Sequence, residues 1–97
     1  MPVSRRTLIE RIDRFIAALE KGQREPDTWE SRCLRQALAD IAQGDVGHAE
    51  TMVGFARTPP EMRPAGEPPG LADQGSLPRL TDLRAQLQDM RCAPSAP

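Results

Sequence analysis

The chain has 97 residues, a formal charge of −1 at neutral pH and a pI near 5.8. That length allows one domain, and the near-neutral balance gives no electrostatic case for binding nucleic acid or an acidic membrane. No run approaches the roughly 18 apolar residues of a membrane-crossing helix, and Glu10, Arg11, Asp13 and Arg14 interrupt the N-terminal segment too often for a secretory signal.

Arginine outnumbers lysine twelve to one, which reads as the coding bias of a GC-rich, hence bacterial, genome. The two cysteines, Cys33 and Cys92, fall in a predicted helix and in the tail. Cys33 is expected as a small buried apolar residue rather than half of a disulfide, and the default compartment is the cytoplasm.

The first predicted helix covers residues 5–21, with Ser4 as N-cap and Gly22 past its last turn as the C′ residue. Leu8, Ile9, Ile12, Phe15, Ile16 and Leu19 recur at intervals of one, three and four, which puts them on one face. Arg11, Arg14 and Lys21 fall elsewhere, beside Glu10, Asp13 and Glu20, as a solvated and charge-laced surface.

Asp27, three residues before Glu30, has the capping-box spacing and opens a second helix over residues 28–43. Trp29, Cys33, Leu34, Ala37, Leu38 and Ile41 form its stripe, and Gly44 ends it. Asp45 then caps a third helix over residues 46–56, turning Val46, Ala49, Met52, Val53 and Ala56 inward. Gly47 and Gly54 weaken that helix by about 1 kcal/mol each relative to Ala. Close packing against the second helix is the expected reason for their presence. Leu8, Ile12, Phe15, Ile16, Leu34, Leu38, Ile41 and Val53 are expected to share one core.

Composition breaks at Thr58, where TPPEMRPAGEPPGLADQGSLP holds six prolines and three glycines in 21 residues. Residues 58–76 are expected to form a spacer without regular structure. Leu80, Leu83, Leu87 and Met90 follow at heptad-like spacing, with Leu77 extending the same face. Thr81 is the expected cap, Asp82 lies in the first turn and Arg91 in the last. Such a short helix is marginal in water, so it must dock on the head, on a second copy or on another protein. Arg84 and Gln88 sit on its polar side and are expected to matter less than the leucines. Pro94 prevents continuation.

These elements make an all-α chain: a small helical domain at 1–57 (an N-terminal helix plus a helical hairpin), a Pro/Gly-rich spacer at 58–76, an amphipathic docking helix at 77–91 and a disordered C-terminus at 92–97. A head of this size is marginal alone, so a partner or self-association is expected to supplement its core.

Catalytic and metal chemistry finds little footing. His48, Cys33 and Cys92 lack the close pair spacings of a zinc site, so no metal is assigned. Across a hairpin about Gly44, Cys33 and His48 would sit roughly 10 Å apart along the axis, too far for a nucleophile and its base. GDVG lacks the Lys-Ser/Thr of a phosphate loop, so no cofactor is assigned either. A helix-turn-helix arrangement of the second and third helices would present His48, Glu50 and Thr51, with no arginine before Arg57, which argues against nucleic acid. The Arg5, Arg6, Arg11 and Arg14 cluster is offset by Glu10 and Asp13.

The leading expectation is thus a non-catalytic protein-binding subunit, adaptor or regulator of a larger protein or enzyme complex. Leu77, Leu80, Leu83, Leu87, Met90 and Trp29 are its candidate contact residues. The alternatives are a small DNA-binding or transcription-associated regulator and a homo-oligomeric structural component. No membrane partner is expected.

Overall fold

Three short polar side chains start the first three helices. The computed structural model describes residues 3–64 and 78–92. Ser4 Oγ accepts the Thr7 N–H at 3.1 Å and opens α1, Arg5–Lys21. Asp27 accepts the Glu30 N–H at 2.8 Å while Glu30 accepts the Asp27 N–H at 3.0 Å, a complete capping box at the head of α2, Thr28–Ala42. Asp45 accepts the His48 N–H at 3.1 Å and opens α3, Val46–Ala56. Each bond satisfies an amide that the helix cannot serve itself.

Both α1 and α2 end in a paired 6→1 and 5→2 backbone closure. After α2, the Asp45 N–H reaches the Asp40 carbonyl at 2.8 Å and the Gly44 N–H reaches that of Ile41 at 3.0 Å, with Gly44 at φ +85°. After α1, the Arg24 and Gln23 amides reach the Leu19 and Glu20 carbonyls, both at 3.0 Å. Here the left-handed residue is Gln23, at φ +52°, and Gly22 is a right-handed C-cap at φ −80°. The turn is thus one residue later than the glycine suggests.

The fourth helix, α4, spans Leu80–Cys92 and begins without Thr81 as its cap. The Leu83 N–H already returns to the Arg79 carbonyl at 3.0 Å, which places Thr81 inside the first turn. Asp82 accepts the Arg79 N–H at 3.0 Å, and Glu25, from the α1–α2 loop, accepts the Leu80 N–H at 3.2 Å. A tertiary contact therefore does what a local cap was expected to do.

The helices surround one core in the order α1, α4, α2, α3, with no strand among the described residues. Leu8, Ile12, Ile16, Leu34 and Leu38 are fully buried, together with Met52 from α3 and Leu83 and Leu87 from α4. Phe15 departs from the expected core and is only half-buried at its margin. At roughly 100° per residue, Phe15 falls at the edge of the arc set by Leu8, Ile12 and Ile16. Gly47 and Gly54 do not mediate a close approach: both are exposed, and a Cβ at either would meet nothing within 4 Å.

The segment from Thr58 onward folds back over the head before it leaves the described residues. Pro60–Met62 forms one turn of 3-10 helix, so the expected absence of regular structure does not hold there. Arg63 then donates to the Thr58 carbonyl and to Asp27 Oδ2, both at 3.0 Å, and its guanidinium lies 5.3 Å from the Trp29 ring centroid. Residues 65–76 of the expected spacer, Leu77 of the expected docking helix, and residues 93–97 lie outside the described residues. Among the described residues, no helix is long and apolar enough to cross a membrane.

Candidate functional site

The charges of α1 divide between two flanks of its apolar stripe, and this division sets the chemistry of the surface. Asp13 and Glu20 occupy one flank, while Arg11, Arg14, Phe15 and Ala18 occupy the other, roughly half a turn away at 100° per residue. On the carboxylate flank α4 docks. Arg84 pairs with Asp13 and reaches Glu20 at 2.5 Å, and Arg91 reaches Asp13 at 3.3 Å. These hydrogen bonds hold both carboxyls below their ordinary range, with the Arg84 hydrogen bond the leading cause in each case.

Leu80, Leu83, Leu87 and Met90 complete that docking, and all four are buried in the chain's own core. Burying an aliphatic side chain of this size contributes about 1.5–3 kcal/mol, against about 0.2–1 kcal/mol for an exposed ion pair. The apolar seam therefore holds α4, and Arg84 fixes its register. Arg84 is half-buried and tied to two carboxylates of α1. Trp29 is likewise interior: its indole N–H donates to the Phe55 carbonyl at 2.6 Å, and Arg63 covers its face. In this conformation Trp29, Leu80, Leu83, Leu87 and Met90 are each no more than 9 % exposed, so they offer a second protein little area unless α4 or the Arg63 segment moves.

The opposite flank of α1 is open. Arg57, the C-cap of α3, lies beside Arg11, Arg14 and Phe15, and the four line a notch of about 310 Å³. Glu10 pairs with Arg6 at 3.7 Å, and Asp13 is spent on α4, so the acidic groups that balance these arginines in sequence are directed elsewhere. Among the described residues only Glu50 approaches, 4.0 Å from Arg11 and half exposed. Arg14 and Arg57 make no ion pair or hydrogen bond among the described residues. Phe15 also borders a smaller notch of about 200 Å³, floored by Ala18 and Leu19 and closed by the Arg24–Glu30 pair at 2.9 Å. A cationic notch, an aromatic edge and a second notch of mixed lining thus follow one another along α1.

Several other polar groups are engaged internally. His48 Nδ1 sits 2.5 Å from Asp40 Oδ2, while the Gln36 amide donates to the other Asp40 oxygen at 2.9 Å. This pair ties the first turn of α3 to α2. Burial pushes the Cys33 thiol up to about 12, which keeps it protonated and unreactive. A wider depression at the start of α4 contains Glu25 and Asp27, which are used on Leu80, Glu30 and Arg63. No group of three or more His, Cys, Asp or Glu among the described residues could hold a metal ion.

The arginine notch was hidden from sequence reasoning because its third member comes from the far end of α3. Arg11 and Arg14 carried a signal, but nothing local revealed that Asp13 faces α4. No family model, curated protein or solved structure matches this chain.

Proposed function

We propose that the chain is a non-catalytic protein-binding subunit or adaptor of a larger bacterial assembly in the cytoplasm. In this reading residues 1–57 are the head, the Pro-rich stretch that follows connects it to α4, and α4 is a docking helix seated on the head. The carrying observation is Phe15, a half-buried aromatic ring beside two guanidinium groups that have no hydrogen-bond or ion-pair partner among the described residues. Aromatic and arginine side chains together supply apolar area and directed hydrogen bonding, the usual anchors of a protein interface. The partner face thereby shifts from the α4 leucines to the outer flank of α1.

The nucleic-acid alternative draws no support from α3. His48 is held by Asp40, Glu50 lies against Arg11, and the Thr51 hydroxyl donates to the Gly47 carbonyl at 3.2 Å. These are the side chains that a recognition helix would need free.

The test is affinity capture of the full chain from its native cells, identification of co-purifying proteins, and titration of the purified pair by calorimetry. A saturable complex of defined stoichiometry is expected. Recovery of nucleic acid alone, or of no protein that binds when purified, overturns the reading.

A further inference from the structure

We infer that the flank of α1 carrying Arg11, Arg14 and Phe15, with Arg57 beside it, receives an extended acidic segment of a partner protein, its carboxylates in the arginine notch and one apolar side chain against Phe15. The inference rests on the protein-binding reading above and names the chemistry of the contact.

Three observations select that occupant. The first is charge: three guanidinium groups gather around one notch in a protein whose net charge is −1, and among the described residues two of them have no carboxylate partner. Guanidinium groups recognise carboxylates through paired N–H donors, so acidic side chains are the complementary chemistry. The second is continuity. The cationic notch and the Ala18–Leu19 notch share Phe15, so the arginines and an aliphatic contact beside the internally paired Arg24 and Glu30 lie within about two helical turns, roughly 12 Å from Arg11 to Leu19 at 1.5 Å per residue. A segment of about four extended residues, at roughly 3.3 Å each, covers that span, whereas a free inorganic anion would use one end only. The third is Glu50. Its carboxylate already lies 4.0 Å from Arg11 at the rim, a weak internal contact that an incoming carboxylate can replace.

Glu50 therefore competes with the incoming segment, and removing its charge should strengthen binding. Side-chain contacts of this exposure shift affinity modestly one at a time and more in combination.

The experiment is fluorescence anisotropy of the full chain with a fluorescein-labelled Glu-Asp-Leu-Asp-Glu peptide in low-salt buffer. Saturable binding is expected, weakening as ionic strength rises. Arg14→Gln and Arg57→Gln should each weaken it about threefold, and together about tenfold. Glu50→Gln should tighten it about twofold. Replacing the peptide leucine with serine should weaken binding, and the uncharged Gln-Asn-Leu-Asn-Gln analogue should not bind. Parallel thermal melts of the arginine variants should stay close to the parent, since neither side chain makes an ion pair or hydrogen bond among the described residues.

Inorganic phosphate displacing the peptide at equal charge concentration, or indifference to the leucine, would show a simple anion site and overturn the inference. So would a labelled DNA duplex binding more tightly than the peptide, or an unchanged affinity in the double arginine variant. If the partner recovered by capture binds the Arg14→Gln/Arg57→Gln chain as well as the parent, the inference fails while the protein-binding reading stands. If capture yields no partner, the broader reading fails whatever the peptide does.

Discussion

Arg84 of α4 holds Glu20 of α1 at 2.5 Å, across 64 residues of sequence, and the same guanidinium also engages Asp13. Both carboxyls are held below their ordinary values of 3.8 for Asp13 and 4.5 for Glu20. The unfolded chain thus takes up protons before the folded one does. The stabilisation is fully present above those ordinary values and is lost as pH falls through the lowered folded ones. Arg84→Gln should therefore melt earlier than the parent at pH 7, and the gap should close on acidification as pH falls below those ordinary values and through the lowered folded ones. Thermal melts of both proteins from pH 2 to 7 measure it, and a gap independent of pH would remove the carboxylates from the explanation.

The core assignment separates residues that the hydrophobic pattern treats alike. Leu38, Leu83 and Leu87 are fully buried, so truncating any one to Ala should cost about 2–5 kcal/mol. Phe15→Ala should cost less, about 1–2 kcal/mol, since only part of the ring leaves water on folding. Urea unfolding monitored by Trp29 fluorescence gives both quantities. A Phe15 loss equal to that of Leu38 would mean that the ring is interior after all.

Backbone conformation offers gains as well as losses. Gln23 occupies a left-handed position that glycine adopts without strain, so Gln23→Gly should stabilise by about 0.5–1 kcal/mol. Gly54→Ala should stabilise by a similar amount, about 0.5–1 kcal/mol, because open space surrounds the new methyl group. Gly44→Ala should do the reverse at φ +85° despite equal room. Urea midpoints of the three variants supply the test, and a stabilised Gly44→Ala would contradict the turn geometry.

Cys33 should resist alkylation. Burial raises its thiol to about 12, so the reactive thiolate is scarce at pH 8 and the sulfur is out of solvent. Iodoacetamide labelling followed by peptide mass spectrometry should modify Cys33 only after denaturant is added. Rapid labelling of the native chain would place the sulfur at the surface.

The helix starts were legible because their signals are local. Ser4, Asp27 and Asp45 each act on an amide three residues away, and the bounds of the first three helices follow from them. The apolar spacing of Leu80, Leu83, Leu87 and Met90 was equally visible, since it belongs to one helix. What covers that stripe depends on where a distant groove lies. Spacing cannot rank the chain's own head against another protein. The same limit hid the arginine notch: Arg11 and Arg57 meet through the packing of α1 on α3, and Asp13 is removed from the balance by α4. Gln23 escaped notice because the neighbouring Gly22 carries the stronger propensity for its left-handed conformation.

The union of α1 with α4 bears on how the chain reaches this state. α2 and α3 adjoin in sequence and meet across the Gly44 corner, so their hairpin closes a short loop and forms cheaply. Arg84 stands 71 residues from Asp13, and seating α4 requires the chain ends of the fold to find each other at a much larger entropic cost. Docking of α4 is then the late step, and substitutions along its leucine seam act mainly by speeding unfolding. During synthesis the first three helices emerge before α4 exists to cover them. Until it arrives, their exposed apolar groove is the part of the nascent chain that a chaperone would bind.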